Sequence, residues 1–373
     1  MKKFLLCLFL ISSIFLNGCF SYRDINTVVF VTSVIFDIDK DNNPVIYLEL
    51  FKPARSASKS SQKAERVVLK GKGKTAFEAM FNVNLASSYA IDYTQNKAII
   101  YTERAAKYGV NYFFDVFERD YNFVLRPCMA VYKGDVERLG NITFGEEQFV
   151  GLFLRDLIDN SGSSSRTIES IIDDFIVRAS GASKTTVLTE IKISDDEPQP
   201  TLVVDGGDII KNGKMVENLP KSDGEAYNFL INDVGNGSME IADPKHPNKY
   251  ISLRIENSKT KTKIDYDGKK MNVKKIINTK ATVVETQEYL KLSDEEKKEV
   301  QKGAEENIIS LCTNVFKKYK AKDLDIFKIS NDAENKYGED FISKHKNLIK
   351  DTVLEIEPHV FISSPGRSYE YKE

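Results

Sequence analysis

The stretch Tyr250–Glu285, YISLRIENSKTKTKIDYDGKKMNVKKIINTKATVVE, decides the fold of the carboxy-terminal third of the chain. Apolar and polar residues alternate along most of it, which is the pattern of β-strands with one buried face. The pair Asp267-Gly268 interrupts the alternation and favours a tight turn between two strands. The stretch therefore predicts two long neighbouring strands that run in opposite directions.

A helix is predicted directly after these strands. Ser293 and Glu296 have the spacing of a capping box, so the helix should begin at Ser293. A second helix and a final strand, residues 353–362, should complete a domain of antiparallel strands and two long helices over residues 246–373. The apolar face of the first helix contains Val300, Ala304, Ile308, Leu311, Val315 and Tyr319, and the second helix carries Tyr337, Phe341, His345 and Leu348.

The amino-terminal part, residues 19–134, alternates strand and helix patterns and is predicted to be one α/β domain. Thr75 and Glu78 form a second capping-box pattern, and Phe77, Met80, Phe81 and Leu85 recur on one face of the helix that follows. A longer helix over residues 103–118 should be interrupted at Gly109. The predicted strands are residues 28–37, 45–51, 65–69, 97–101 and 127–132, the first two of which form a hairpin.

The middle part, residues 135–245, is predicted to be a second α/β domain. Helical patterns cover residues 146–157 and 167–179, and strands should follow at residues 185–193 and 201–210. After the Asn212-Gly213 turn, Ser222 and Glu225 are expected to cap a short helix. The whole chain is thus predicted to have an α/β (α+β) fold, with three consecutive mixed domains whose antiparallel or mixed sheets are flanked by helices.

The amino terminus has the pattern of a bacterial lipoprotein signal. Residues 4–16 are nearly all apolar, follow Lys2 and Lys3, and are too few to cross a bilayer as a stable helix. Leu16-Asn17-Gly18-Cys19 comes next. We therefore expect cleavage after residue 18 and attachment of a lipid to Cys19, which would anchor the body to a membrane. The alternative is an ordinary signal peptide with an incidental cysteine.

Composition and motifs argue against nucleic acid, metal and catalytic chemistry. The chain carries 53 basic and 55 acidic residues, so no strong positive field is present to bind nucleic acid. His246, His345 and His359 are far apart and do not have zinc-ligand spacing. No nucleophile with a plausible base is seen, so neither an enzyme nor a cofactor is predicted. Cys128 and Cys312 are expected to be buried free thiols, although pairing across domains stays open.

Two short strings resemble ligand motifs, but each lacks an essential residue. Gly71-Lys72-Gly73-Lys74-Thr75 resembles the end of a phosphate-binding loop, yet the required first glycine is absent because position 68 is Val68. Asp37–Asn43 alternates like the start of a calcium loop, but the expected glycine and the final glutamate are replaced by Asn42 and Leu48. A strand-to-helix turn and a hairpin turn are therefore the favoured interpretations.

Several segments in this order resemble the Ger(x)C family, the lipoprotein C subunit of spore germinant receptors. The absence of tryptophan, and Tyr89–Tyr93 in place of an aromatic-histidine pair, depart from the family pattern. The segments that carry the resemblance are Cys19–Ile25, Ile35–Asp39, Gly73–Ala79, Ala98–Glu103 with Gly109, Arg119-Asp120 with Arg126, and Gly207–Lys214.

The resemblance implies a non-catalytic three-domain body, anchored through Cys19 to the outer face of the spore inner membrane. It also implies two partners: an integral membrane A subunit and a transporter-like B subunit. Direct binding of a small-molecule germinant by this chain stays open. The main alternative is a solute-binding lipoprotein of a membrane importer, and a lipid-anchored hydrolase is a third possibility.

Overall fold

The computed structural model describes residues 27–53, 64–119, 123, 126–145, 147–161, 164–288 and 293–363. Two mixed β-sheets flanked by helices account for most of these residues, which confirms the predicted α/β (α+β) class. The predicted signal, residues 1–18, and Cys19 lie outside the described residues.

The first sheet has the strand order β3-β2-β1-β5-β6-β7-β8-β9, with short β4 also paired to β1. Its centre is parallel, from β1 through β5 and β6 to β7, and its two sides are antiparallel. The strands are β1 (Val28–Ile38), β2 (Pro44–Lys52), β3 (Glu65–Lys72), β4 (Ala90–Asp92), β5 (Ala98–Thr102), β6 (Cys128–Tyr132), β7 (Thr185–Ser194), β8 (Thr201–Lys211) and β9 (Lys214–Pro220).

Helices cover both faces of the first sheet, so its central strands are almost entirely buried, as expected for parallel strands. One face packs against α1 (Ala76–Val83), α2 (Glu103–Arg119) and α5 (Ile172–Ser180), and the other against α3 (Val136–Asn141) and α4 (Val150–Ser161). The predicted interruption of α2 is confirmed, because Gly109 has a φ of 157° inside the helix. The backbone N–H of Val110 donates to the carbonyl oxygen of Gly213 at 2.7 Å, which fixes this kink against the β8–β9 turn.

The second sheet has the order β10-β11-β12-β13. The predicted Asp267-Gly268 turn is confirmed, since it joins the two long antiparallel strands and Gly268 has a φ of 94° that favours glycine. One hydrophobic core joins this sheet to β7, β8 and β9 of the first sheet through the helices between them. The elements are β10 (Gly237–Ala242), β11 (Tyr250–Tyr266), β12 (Met271–Thr286), β13 (Thr352–Ser363), α6 (Lys221–Ile231), α7 (Asp294–Ala321), α8 (Ile329–Tyr337) and α9 (Glu339–Lys344).

Helix α7 begins as predicted. The Ser293 side chain accepts the backbone N–H of Glu296, and the Glu296 carboxylate accepts the backbone N–H of Ser293, so the capping box is complete. The predicted apolar face is also confirmed: Leu311 is partly buried and the other five residues are buried. This face packs against the second sheet and α6.

Two predictions for the carboxy-terminal part are wrong. The second long helix is replaced by short α8 and α9, because the chain breaks at Gly338, where φ is 84°. The sheet is not purely antiparallel, because β13 runs parallel to β12. The connection between them runs through α7, α8 and α9, and a helical crossover of that length allows two strands to lie parallel.

The segment between β8 and α6 also differs from the prediction. Strand β9 was not predicted, although it continues the sheet directly after the Asn212-Gly213 turn. Helix α6 starts at Lys221 after Pro220 and has no side-chain cap, so the predicted capping by Ser222 and Glu225 is wrong. Glu225 is instead buried in the middle of the helix.

The division into three domains stays a prediction. The first sheet is continuous from β3 to β9 and therefore contains strands from both sides of the predicted boundary at residue 134. The second sheet lies within residues 237–363, near the predicted third domain.

Candidate functional site

The end of the first sheet at which strand β1 begins is the part of the described structure nearest in sequence to Cys19. Strand β1 begins at Val28, which pairs with Ala90 of β4, and these two residues define the amino-terminal edge. Nine residue steps separate Cys19 from Val28, and a fully extended chain spans at most about 3.6 Å per residue. A lipid on Cys19 would thus hold this edge within about 32 Å of the membrane surface.

An exposed apolar stripe lies on the segment that leads to this edge. Phe77 and Phe81 of α1 and Leu85 after it follow an i, i+4, i+8 spacing, and we call these three residues the aromatic stripe. Their exposed fractions are 56%, 60% and 83%, and the rings of Phe77 and Phe81 stack with centroids 6.3 Å apart. The prediction that these three residues share one helical face with Met80 is wrong, because Met80 is buried.

The cause of this exposure is the close approach of α1 to β3. A Cβ atom at Gly71 would lie 2.0 Å from the Ala79 carbonyl oxygen, and one at Gly73 would lie 2.5 Å from the Ala79 backbone nitrogen. The glycines therefore let the helix bury the face that contains Ala79 and turn the aromatic stripe outward. This is a packing role for the string that resembled a phosphate-binding loop.

Two tyrosines of α2 extend the exposed aromatic surface. Tyr108 and Tyr112 are 36% and 44% exposed, and their rings meet edge to face at 5.2 Å. The hydroxyl of Tyr112 donates to the carbonyl oxygen of Lys74 at 3.1 Å, next to the start of α1. The α1–α2 side of the first sheet thus presents five apolar or aromatic side chains to solvent.

A buried polar cluster centred on Glu49 joins the first sheet to α4. Its carboxylate accepts backbone N–H groups from Val150 and Gly151 at 2.8 and 3.0 Å, and the Arg66 Nε donates to it at 2.7 Å. Thr32 and Ser33 hydroxyls complete its hydrogen bonds. A carboxylate is stabilised at a helix amino terminus by the free N–H groups there. Every group is paired within the protein, so the cluster is a structural clamp.

A second polar cluster joins the end of β6 to strands β7, β8 and β9 of the first sheet. The Lys133 Nζ lies 2.6 Å from Glu190 Oε2 and 3.0 Å from Asp208 Oδ1, and Asn218 donates to Glu190. Burial raises the pKa of Asp208 to about 6, and the Lys133 ammonium opposes that rise. Glu190 and Asp208 are buried, whereas Lys133 is partly exposed, so the cluster joins neighbouring strands of the first sheet.

A groove of about 420 Å³ lies where α6, β10 and α7 meet. Arg166 binds Glu240 at 2.5 Å and lies 3.6 Å from Glu225 Oε2. The other oxygen of Glu225 has no hydrogen-bond partner among the described residues. Burial raises the pKa of Glu225 to about 7, although Arg166 opposes the rise.

The remaining candidate residues are dispersed. Cys128 and Cys312 are buried free thiols, in agreement with the favoured prediction. The three histidines contact Asp243, Tyr266 and Glu357 respectively, at separate places. Asp39 accepts backbone N–H groups from Asp41 and Asn43, as expected for a hairpin turn. Over the described ranges, no group of three or more His, Cys, Asp or Glu residues could hold a metal ion.

Sequence models of two spore germination domains match nearly the whole chain. The one described as "Spore germination protein N-terminal domain" matches residues 21–193, and the one described as "Spore germination B3/ GerAC like, C-terminal" matches residues 205–366. The chain belongs to the GerAC family of germinant receptor C subunits. The Ger(x)C resemblance is thereby confirmed, and membership implies a role in spore germination. The family is not a known class of enzyme.

Individual relatives agree with this assignment. Spore germination protein GerQC of Bacillus cereus is 21% identical over 326 residues, which are 87% of this chain and 88% of that protein. Spore germination protein B3 of Bacillus subtilis (strain 168) is 26% identical over 279 residues, 73% of this chain and 72% of that protein. The crystal structure of the GerBC protein shares the fold, with a TM-score of 0.58 at 15% identity over 88% of this chain and 96% of that chain.

Sequence reasoning missed several features of this GerAC-family chain. Glu49 gave no signal and Glu225 was predicted only as part of a helix cap, because the partners of both residues are distant in sequence. The outward direction of the aromatic stripe could have been inferred from Gly71 and Gly73, whose lack of a side chain favours close packing of the next helix. In the described residues, no helix is long and apolar enough to cross a membrane.

Proposed function

We propose that this GerAC-family chain is a lipid-anchored, non-catalytic subunit of a nutrient germinant receptor. It is held by Cys19 on the outer face of the spore inner membrane and binds the integral membrane A subunit and the transporter-like B subunit. The observation that carries the proposal is the order of the sequence: the lipoprotein pattern ends at Cys19, and the family match begins at residue 21.

The polar groups of the structure support a binding role over a catalytic one. The Glu49 cluster is paired internally, Lys133 binds two buried carboxylates, and the two described thiols are buried. A lipid anchor would raise the local concentration of the body near membrane subunits, so that modest contacts suffice for association. The role is therefore that of a tethered module whose surface is used for assembly.

The first experiment replaces the proposed lipid site in spores. Cys19→Ala should remove the protein from the inner-membrane fraction and abolish the germination response to one class of nutrient. Cys7→Ala, the same change within the signal, is the matched control and should behave as the unmodified protein. Immunoblots of membrane fractions and germination with separate nutrients provide the two readouts.

Assembly is tested separately. Immunoprecipitation of the tagged chain from detergent-solubilised spore membranes should recover the A and B subunits. Recovery without a nutrient phenotype would contradict the receptor role, whereas normal membrane association and germination of the Cys19→Ala strain would contradict lipid anchoring. Capture of importer subunits in place of A and B would support the solute-binding alternative.

A further inference from the structure

The aromatic stripe is an unpaired apolar surface close to the proposed anchor. Phe77, Phe81 and Leu85 are each more than half exposed, whereas the opposite face of α1 is buried against β3. Isolated exposed apolar residues are common on protein surfaces, but a contiguous patch indicates an interaction site. Here the rings of Phe77 and Phe81 stack, Leu85 follows in a short 3-10 helix (Asn84–Ala86), and Tyr112 binds Lys74 beside the start of α1.

The position of the stripe favours the membrane as its partner. Leu85 is five residues from Ala90, which pairs with Val28 at the amino-terminal edge, so Leu85 lies within about 18 Å of that residue. Cys19 is nine residues from Val28 on the other side. A lipid on Cys19 would therefore hold the stripe on a tether from which it can reach the bilayer surface.

We propose that the aromatic stripe inserts into the interfacial layer of the bilayer that holds the Cys19 lipid. The inference rests on the proposed lipid attachment. Phe and Leu side chains favour the boundary between headgroups and acyl chains, and Tyr108 and Tyr112 have the apolar ring and polar tip that suit the same depth. The lipid supplies attachment, and the stripe determines which side of the body faces the membrane.

The orientation that follows is specific. The α1–α2 side of the first sheet faces the bilayer, because the stripe and both tyrosines lie on that side. Exposed Phe361 is on β13 of the second sheet, whereas the stripe and the tyrosines are on helices that pack against the first sheet. The proposal does not place the outer surface of the second sheet in the bilayer. Phe361 is therefore a suitable comparison, since its exposed fraction of 60% equals that of Phe81.

The absence of tryptophan from the sequence allows a direct test. Phe81→Trp and Phe361→Trp each introduce a single tryptophan at a site of equal exposure, and excitation at the red edge of its absorption avoids the tyrosines. Each full-length lipidated variant is reconstituted into phosphatidylglycerol and phosphatidylcholine vesicles, with or without brominated acyl chains. We expect brominated lipid to quench much of the fluorescence of Phe81→Trp and to leave that of Phe361→Trp nearly unchanged. Equal quenching, or none at residue 81, would overturn the proposal.

A second measurement separates the stripe from the lipid. The chain from residue 19 onward with Cys19→Ala carries no lipid, and its sedimentation with the same vesicles reports the stripe alone. Phe77→Ser, Phe81→Ser and Leu85→Ser together should lower its partitioning at least about tenfold. Unchanged partitioning would contradict membrane insertion, even if mass spectrometry of the native amino-terminal peptide shows the lipid.

The competing occupant is a membrane subunit. If the triple variant loses recovery of the A or B subunit while the Phe81→Trp signal stays insensitive to brominated lipid, the stripe binds protein and the proposal is wrong. Failure of lipid attachment instead appears as an unmodified amino-terminal peptide, and it leaves the vesicle measurement of the stripe intact. The two failures are thus distinguishable.

Discussion

Glu49 on β2 and Gly151 at the start of α4 are 102 residues apart in sequence, yet the Glu49 Oε2 accepts the Gly151 backbone N–H at 3.0 Å. The same carboxylate also binds Val150 and Arg66. This contact joins an antiparallel side of the first sheet to a helix on its α3–α4 face, across the predicted boundary at residue 134.

Glu49→Gln should destabilise the protein by about 3 kcal/mol, because it leaves Arg66 without its anionic partner in a nearly buried site. Urea unfolding followed by circular dichroism measures the change. Glu65→Gln is the matched control: its ion pair with Lys52 is more than half exposed on the glutamate side, so the loss should stay below about 1 kcal/mol. Equal losses would show that Glu49 is not a clamp.

Gly151→Ala should destabilise the protein by about 2 kcal/mol, because an added methyl group would overlap the backbone at the same contact. A Cβ atom there would lie 2.1 Å from the Thr32 carbonyl oxygen. Gly140 in α3 has no heavy atom within 4 Å of a built Cβ, so Gly140→Ala should be neutral or stabilise by up to about 1 kcal/mol. Thermal unfolding measures both variants. Equal shifts of their unfolding midpoints would contradict the close contact assigned to Gly151.

The elements that sequence predicts best are those fixed by neighbours in the chain. The Asp267-Gly268 turn, the Ser293–Glu296 capping box and the break at Gly109 each depend on a few adjacent residues, and each is found in the structure. Local backbone preference and capping act between residues that are only a few positions apart in the sequence. A short sequence window therefore predicts where these features occur, although the kink at Gly109 is also held by the distant Gly213.

The features that sequence does not predict depend on distant partners. The parallel direction of β13 is set by how a long helical crossover packs, and the burial of Glu225 is set by α7 and β10. For the proposed function, the lipoprotein pattern at Cys19 and the family resemblance come from sequence alone. The pattern of Phe77, Met80 and Phe81 alone does not show which side is buried, and only the close packing of Gly71 and Gly73 against the helix indicates that the aromatic stripe faces outward.

Glu225 should make stability depend on pH. Its folded pKa is raised from 4.5 to about 7, so the folded state holds this proton more tightly than the unfolded state. The stabilisation is fully present below about pH 4.5 and is lost as the pH rises through 7, with a slope of at most about 1.4 kcal/mol per pH unit. The expected result is a fall in the unfolding free energy over this window.

The comparison of variants isolates that contribution from other titrating groups. Glu225→Gln cannot titrate, so its stability relative to the unmodified protein should rise from pH 4.5 to pH 7. Glu306→Gln changes an exposed acid on α7 and should keep the original pH dependence. Urea unfolding at closely spaced pH values measures both, and parallel curves for Glu225→Gln and the unmodified protein would contradict the assigned pKa.

Cys128 and Cys312 should be unreactive in the folded protein. Burial raises the pKa of the Cys128 thiol to about 12 and also raises that of Cys312, so almost no thiolate is present near neutral pH. Ellman's reagent, used on the chain from residue 19 onward with Cys19→Ala, should detect no fast-reacting thiol before unfolding and two in denaturant. Detection of none in denaturant would show that the two cysteines are linked, and fast reaction of the folded chain would show that at least one is accessible.

The rate of labelling also reports how often the two cores open, because each thiol must be exposed before it reacts. Cys128 lies in the α3–α4 core and Cys312 in the core of the second sheet.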